Sequence, residues 1–269
     1  MPSPRNLVVA ALMLSASIIT APAAAETEPA VQDIVDRASA AAYYQGKDGK
    51  AKVSMTIADA RGRERSREFV IIRTDINDED NGEQRFYVYF NRPADVNRTA
   101  FMVWKKVGAD DDRWLYLPAL DLVKRIAATD ERTSFVGSHF FYEDVSGRGP
   151  YEDDHVLIEE TDNFYVIEST PKSSAGVEFA RYRNWIHKTT FIPVKTEYIN
   201  DNGETYRTYT AVRVETVAGY PTVVESRIED AGIGGATTLV YSDVDYDIDL
   251  PEDVFTERYL RNPPRRYLR

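Results

Sequence analysis

Residues 51–74, "AKVSMTIADARGRERSREFVIIRT", decide the fold. The first nine alternate in polarity, so that Val53, Met55 and Ile57 share one face, as they do in a half-buried β-strand. Gly62 lies in a polar turn, and the residues that follow it form a second run of strand character. Two such runs around a turn predict a long β-hairpin.

The rest of the chain continues this pattern. One helix is predicted at 29–45 and a short final helix near Pro251. Further strands are predicted at 84–90, 99–106, 114–118, 163–170, 179–188, 191–199, 204–217, 221–230 and 236–247. About ten to eleven strands in up-and-down order predict a mainly β protein with one large, strongly curved antiparallel sheet. This sheet would form an open or closed barrel, with the N-terminal helix on its inner face.

The N-terminus has the features of an export signal. Arg5 precedes an apolar run that starts at Leu7, and "APAAA" provides the small residues that signal peptidase accepts. The run is too short for a membrane anchor, which needs about 20 residues. We expect 1–25 to be a cleaved signal peptide and 26–269 to form a single domain. Because the chain has no cysteine, none can carry a lipid, and we expect a soluble, non-lipidated periplasmic protein.

The charge excludes some partners. The chain carries a net charge of −11, and removal of Arg5 with the signal would leave −12. Phosphate binding depends on clustered Lys and Arg, so nucleic acid is not expected as a partner. Steady adsorption to an anionic membrane is disfavoured for the same reason, which leaves transient membrane contact.

No catalytic or metal motif is evident. His139, His155 and His187 form no close pair and no HExxH motif. The acidic run at 110–112 lacks the ligand spacing of an EF-hand, and no G-x-S-x-G elbow is present. His139 with Glu143 and Asp144 is the one combination that resembles a site, although the two carboxylates can equally hydrogen-bond loop amides. We therefore expect no catalytic residue, metal or cofactor.

The central segment resembles a known family. Residues 113–148, "RWLYLPALDLVKRIAATDERTSFVGSHFFYEDVSGR", contain W-x-Y-x-P, K-R-I and F-x-G-S-x-F-x-Y-E-D segments. They are similar to the signature of the LolA-like outer-membrane lipoprotein-sorting proteins, and both ends of the predicted domain also resemble this family. The matching positions are Trp114, Tyr116, Pro118, Lys124, Arg125, Ile126, Ser134, Phe135, Gly137, Ser138, Phe140, Tyr142, Glu143 and Asp144.

The resemblance implies a fold and a function. The fold would be an unclosed LolA-like β-barrel, with helices packed over a hydrophobic cavity. The function would be to carry a lipid or lipoprotein acyl chain across the periplasm between the inner and outer membranes. Partners would be an inner-membrane RND-type transporter or lipoprotein-release machinery. Two alternatives remain open: an accessory subunit of an RND-type envelope transporter, and a secreted carboxylate hydrolase that uses Glu143 and Asp144.

Candidate site residues follow from this expectation. Pro118, Arg125, Gly137, Glu143 and Asp144 are expected to have structural roles. Gly137 would permit a close backbone approach, and Glu143 and Asp144 would hold the loop through Arg125, Arg148 or backbone amides. Large apolar side chains are expected to line the cavity, namely Phe86, Val88, Phe101, Val103, Trp114, Tyr116, Phe135, Phe140, Tyr142 and Trp185.

Overall fold

The computed structural model of the chain describes residues 29–77 and 79–268. The expected signal peptide, 1–25, lies outside the described residues. The described residues form thirteen strands and three helices. The strands are β1 (Asp48–Asp59), β2 (Glu64–Asp75), β3 (Gln84–Arg92), β4 (Ala100–Lys105), β5 (Asp112–Leu117), β6 (Leu122–Ile126), β7 (Asp153–Glu160), β8 (Phe164–Pro171), β9 (Arg181–His187), β10 (Pro193–Ile199), β11 (Thr205–Val217), β12 (Tyr220–Asp230) and β13 (Gly235–Tyr246).

The helices lie near the ends and in the middle of the chain. Helix α1 (Val31–Tyr43) precedes the sheet, α2 (Glu143–Ser146) lies between β6 and β7, and α3 (Arg258–Arg261) follows β13. Short 3₁₀ turns occur at Pro118–Leu120, Ala128–Asp130 and Glu252–Phe255.

All strands belong to one antiparallel sheet. Its order is β6-β5-β4-β3-β2-β1-β13-β12-β11-β10-β9-β8-β7, so every neighbour is sequential except β1 and β13. The pairing of β1 with β13, for example Val53 opposite Tyr241, joins the two halves of the chain. Strands β6 and β7 form the two edges of the sheet and do not pair with each other. The predicted mainly β, unclosed barrel is therefore confirmed.

A segment that we call the plug, residues 127–152, runs from one edge to the other. It contains the 3₁₀ turn at 128–130, an isolated bridge between Ser134 and Phe141, and α2. Its aromatic side chains Phe135, Phe140 and Tyr142 are buried in the core that covers the inner face of β1–β5. The plug thus fills part of the space that the curved sheet encloses.

Strands β3, β4 and β5 are buried on both faces over most of their length. On β3, Phe86 and Val88 belong to the inner core, whereas Tyr87 belongs to a second core on the outer face. The outer core is covered by the C-terminal residues 247–268, which contribute Val254, Phe255 and other apolar side chains. Double-sided burial explains why β2, β3 and β4 contain almost continuous apolar runs.

Helix α1 covers the inner face of the second half. Its buried residues Ile34 and Ala38 pack against Ile167 of β8 and Ile186 of β9. The helix has thirteen residues and a single apolar stripe. This stripe packs against the sheet, and the opposite side of the helix faces solvent.

Two strands were not among the predicted ones. They are β6 and β7, the edge strands, whose side chains are mostly exposed. Their exposed side chains include Leu122, Val156 and Ile158, so apolar positions do not mark a buried face and the strands are difficult to recognise from sequence.

Candidate ligand-binding cavity

A cavity of about 390 Å³ lies inside the curved sheet. The inner faces of β1–β3 and β9–β13 form its walls, and α1 and the plug contribute further lining residues. This position results from the topology, because the two halves of the sheet curve around a space that α1 and the plug fill only partly.

One wall of the cavity is apolar. Phe69, Phe86 and Val88 contribute to it from β2 and β3, and Phe135 and Phe140 contribute from the plug. All five are at most 7% exposed. The rings pack as a cluster, with centroids 6.4 Å apart for Phe69–Phe135. Such a surface can hold a hydrocarbon without any charged group.

Tyrosines also line the cavity. Tyr43 of α1, Tyr198 of β10, Tyr209 of β11 and Tyr241 of β13 line the cavity, and we call them the tyrosine cluster. Burial, with Asp144 as the next cause, raises the pKa of Tyr43 well above its usual value. The other three phenols add to that rise, which indicates that all four converge. Burial also raises the pKa of Tyr241 to about 12, so these hydroxyls stay neutral.

Arg132, which is buried, and Arg148, which is half-buried, hold the plug in place. Arg132 donates to both carboxylate oxygens of Glu178 at 2.7 Å, and it also pairs with Glu143. Arg148 donates to Glu143 at 3.1 Å and to Asp153 at 2.9 Å. Burial lowers the pKa of Arg132, but its hydrogen bonds to Glu178 and the charge of Glu143 raise it overall. These pairs connect the plug to β7 and to the segment before β9.

A third arginine connects the plug to β11. Arg207 is fully buried, pairs with Asp144 and donates to the backbone oxygen of His139 at 3.1 Å. Its guanidinium lies 4.0 Å above the centre of the Phe141 ring. His139 itself lies 2.8 Å from the hydroxyl of Thr237, so it anchors the plug to β13. Within the described residues, no group of three or more His, Cys, Asp or Glu could hold a metal ion.

Every charged residue that lines the cavity has a partner of opposite charge. Lys50 pairs with Asp245 at 3.2 Å, and Arg73 pairs with Asp75 at 2.9 Å. Asp144 pairs with Arg207, and Arg148 pairs with Asp153. The cavity therefore offers apolar surface and neutral hydroxyls rather than an unpaired ion.

The structure brings some of the predicted cavity residues together. Phe86, Val88, Phe135 and Phe140 line the cavity. Phe101, Val103 and Tyr142 are buried in the same inner core but do not line the cavity.

The other three predicted cavity residues lie elsewhere. Trp114 and Tyr116 belong to the outer core, because on β5 it is Leu115 that points inward. Trp185 on β9 is half-buried and packs under Lys195 instead of lining the cavity.

The predicted structural residues occupy varied positions. Pro118 begins a 3₁₀ turn, and Arg125 pairs with Asp112 and not with the plug carboxylates. Glu143 is held by Arg132 and Arg148, and Asp144 accepts from the backbone nitrogen of Phe141 at 2.6 Å. The expected close approach at Gly137 is wrong: a Cβ there would meet nothing within 4 Å. Its φ of +79° is what favours glycine.

The sequence did not predict the tyrosine cluster or the two buried arginines, Arg132 and Arg207, that pair with plug carboxylates. Tyr198 and Tyr209 lie on period-two strands and could have been placed on one face, but alternation alone does not say which face encloses the cavity. Arg132 and Arg207 look like ordinary surface residues in the sequence. Only the fold reveals that they meet the carboxylates of the plug.

The fold and the cavity together define an unclosed β-barrel with an internal cavity that a helix and a plug help to line. The chain belongs to the DUF1329-like family of uncharacterized proteins, whose profile matches residues 82–262. A comparison with curated proteins gives no match.

Solved structures agree with this assignment. A DUF1329 family protein from Desulfovibrio piger is 28% identical, with a TM-score of 0.78 over 85% of this chain and 97% of that chain. A protein described as an outer membrane lipoprotein-sorting protein domain, from Vibrio parahaemolyticus, is 25% identical, with a TM-score of 0.76 over 86% and 97%. A LolA superfamily protein from Nitrosomonas europaea shares the fold at 20% identity, with a TM-score of 0.64 over 85% and 98%. The predicted LolA-like family is confirmed.

A last observation concerns the membrane. Among the helices at 29–77 and 79–268, none combines the length and the apolar character needed to cross a bilayer.

Proposed function

We propose that this protein is a periplasmic carrier that binds a lipid or lipoprotein acyl chain in the cavity and moves it between the inner and outer membranes. It acts by binding and release, without catalysis. The observation that carries the proposal is the cavity itself, which has an apolar wall and no unpaired charge.

The volume is sufficient for one chain. At about 390 Å³ the cavity lies within the range of about 300–1,000 Å³ that is usual for small-molecule sites. Each buried methylene contributes about 0.8 kcal/mol, so a dozen would contribute about 10 kcal/mol before the costs of binding. Affinity of this kind needs no catalytic residue.

The hydrolase alternative has less support. Glu143 is 3% exposed and held by two arginines, and Asp144 is held by Arg207 and a backbone amide. Carboxylates that are paired in this way are not free to activate water. A hydrolase would lose turnover in Glu143→Gln, whereas a carrier would lose only stability or plug order.

The proposed location and partners of the protein rest on its sequence. We propose that 1–25 directs export, that 26–269 is one lipid-binding domain, and that the mature protein is soluble in the periplasm. The proposed partners are an inner-membrane RND-type transporter or lipoprotein-release machinery, with transient membrane contact. An accessory subunit of that transporter would co-purify with it and would contain no lipid.

The test is a binding measurement with a filled cavity. Ile71 lines the cavity and is half-buried, so Ile71→Trp would fill part of the space. Ile158→Trp is the matched control, because Ile158 is 45% exposed on edge strand β7. We expect Ile71→Trp to weaken binding of the neutral probe N-phenyl-1-naphthylamine at least about tenfold. The reason is that the probe would lose burial equivalent to two methylene groups, which lowers affinity by about that factor. The control should bind as wild type does.

Two results would contradict the carrier function. One is a wild-type protein that binds no apolar probe and yields no lipid when it is purified gently and extracted with organic solvent. The other is equal probe affinity in wild type and Ile71→Trp, provided that both proteins are folded by circular dichroism.

A further inference from the structure

Four neighbouring turns form one end of the sheet. In an antiparallel sheet, successive hairpin turns alternate between the two ends, so one end holds the turns at 60–63, 93–99, 118–121 and 231–234. We call these four turns the basic end. They are neighbours because the strands that they join are consecutive in the sheet, from β6 through β1 and β13 to β12. A Cβ on Gly234 in the last turn would lie 2.7 Å from that of Ala60 in the first.

The two outermost of these turns carry exposed apolar side chains. Leu120 in the β5–β6 turn and Ile233 in the β12–β13 turn are each 70% exposed, the highest value among the large apolar residues that the structure describes. Leu122, at the start of β6, is 45% exposed. A single exposed leucine needs no explanation, but here such residues occur at both limits of one row of turns.

The two inner turns carry arginines without carboxylate partners. Arg61 lies in the β1–β2 turn, Arg65 is the second residue of β2, and Arg98 lies in the β3–β4 turn. All three are exposed, and none forms an ion pair within 29–77 and 79–268. Against these three positive charges there is one exposed carboxylate without an ion pair, that of Glu64 beside Arg65. The basic end therefore has an excess of available positive charge.

The opposite end of the sheet has the opposite charge. Against one lysine, Lys106, the β2–β3 and β4–β5 connections contain Glu79, Asp80, Glu83, Asp110 and Asp111. At the basic end, by contrast, ion pairs with arginines neutralise Asp95 and Asp121. The net charge of −11 is thus unevenly distributed, and an anionic surface would attract the basic end and repel the other.

We infer that the basic end docks the protein on an anionic lipid bilayer, with Arg61, Arg65 and Arg98 at the lipid phosphates and Leu120 and Ile233 inserted at the boundary of the acyl chains. Exposed apolar residues combined with basic ones are typical of interfacial membrane binding. A protein interface would instead place its apolar residues at the centre and its charges around them. This inference rests on the proposed carrier function, because a carrier must contact a membrane to load or release cargo.

The test is sedimentation with vesicles. The mature protein, 26–269, contains every described element of the fold and is mixed with vesicles of phosphatidylcholine, either pure or with half of the lipid replaced by phosphatidylglycerol. Each arginine near an anionic surface strengthens binding about fivefold. We expect wild type to bind the anionic vesicles at least about tenfold more tightly at low salt, and to lose this preference at about 1 M salt, where charges are screened.

Two triple variants separate position from charge. Arg61→Gln/Arg65→Gln/Arg98→Gln should weaken binding to anionic vesicles at least about tenfold. Lys47→Gln/Lys188→Gln/Arg213→Gln is the matched control, because it removes the same charge from residues outside the basic end that are exposed or half-buried. The control should bind about as wild type does, and circular dichroism should show that both variants are folded.

A tryptophan reports insertion. The fluorescence of Leu120→Trp should shift to shorter wavelength when anionic vesicles are added. Val107→Trp is the matched control, because Val107 is 58% exposed in the β4–β5 connection at the opposite end and should show no shift.

The outcomes are distinguishable. Equal binding of wild type to both kinds of vesicle, or an equal loss in the two triple variants, would overturn the inference. So would equal shifts, or no shift, in the two tryptophan variants. Absence of vesicle binding would leave the arginines to a protein partner with an acidic surface. Each of these results would leave intact the carrier function, which is tested by probe binding in solution, and failure to bind the probe would contradict the carrier function itself.

Discussion

Replacement of Arg132 by methionine tests whether the buried ion pairs hold the plug. Arg132 is 8% exposed, makes two hydrogen bonds to Glu178 and pairs with Glu143. Removing one partner of a buried pair costs about 3–5 kcal/mol, because the remaining charge stays buried. Glu143 keeps Arg148 as a partner, and the side chain of Glu178 is 39% exposed and can be hydrated. We therefore expect the free energy of unfolding to fall by about 3 kcal/mol, at the lower end of that range.

Thermal and urea unfolding measure this loss. For a domain of this size, 1 kcal/mol corresponds to about 2–4 °C, so the midpoint should fall by about 10 °C. The matched control is Arg63→Met. Arg63 pairs with Asp59 in the β1–β2 turn and its side chain is 73% exposed, so the pair should contribute less than about 1 kcal/mol.

Hydrogen exchange locates the effect. In Arg132→Met, amides of the plug, such as those of Phe135 and Glu143, should lose protection before those of β2 and β3. A loss below about 1 kcal/mol, equal to that of the control, would refute the idea that this pair is a principal anchor. Uniform loss of protection across the sheet would show that Arg132 stabilises the whole domain rather than the plug.

Three further predictions follow from other parts of the molecule. Phe255→Ala should cost about 3–5 kcal/mol in urea unfolding, because Phe255 is 1% exposed in the outer core, yet probe affinity should not change. Gly147→Ala should destabilise more than Gly137→Ala in the same assay. Both have positive φ, but a Cβ at Gly147 would lie 2.4 Å from the Tyr43 ring. Burial raises the pKa of Asp75 from 3.8 to about 6, so the native state retains a proton that the unfolded chain has lost. The unfolding free energy should then fall as pH rises from about 4 to about 6, and Asp75→Asn should flatten that part of the profile.

Much of the fold could be predicted from local pattern. The hairpin around Gly62 and the helix at the N-terminus appear at the expected places, as β1, β2 and α1. Alternating polarity identifies such elements because one face of each is buried and the other is not. The two edge strands gave no such signal, since most of their side chains face solvent.

The cavity itself was harder to predict, and the reason is physical. On β5, Trp114 and Leu115 are both buried, at 7% and 8% exposure, but they point to opposite faces. Hydrophobicity therefore cannot tell which of them faces the cavity and which faces residues 247–268. The large aromatic residue is the natural choice for a ligand pocket, and here it packs under the C-terminal segment instead.

The same limit explains why the plug seemed ambiguous and why its carboxylates matter. A histidine with two acidic neighbours resembles a metal or catalytic loop, because sequence shows proximity along the chain but not across the sheet. In the folded chain the partners of Glu143 and Asp144 are Arg132, Arg148 and Arg207. Together these arginines neutralise two carboxylates that would otherwise be unpaired inside the protein, which would be costly. The acidic pair thus keeps the plug in place, and the chemistry available to a ligand lies with the phenylalanines and tyrosines that the plug helps to enclose.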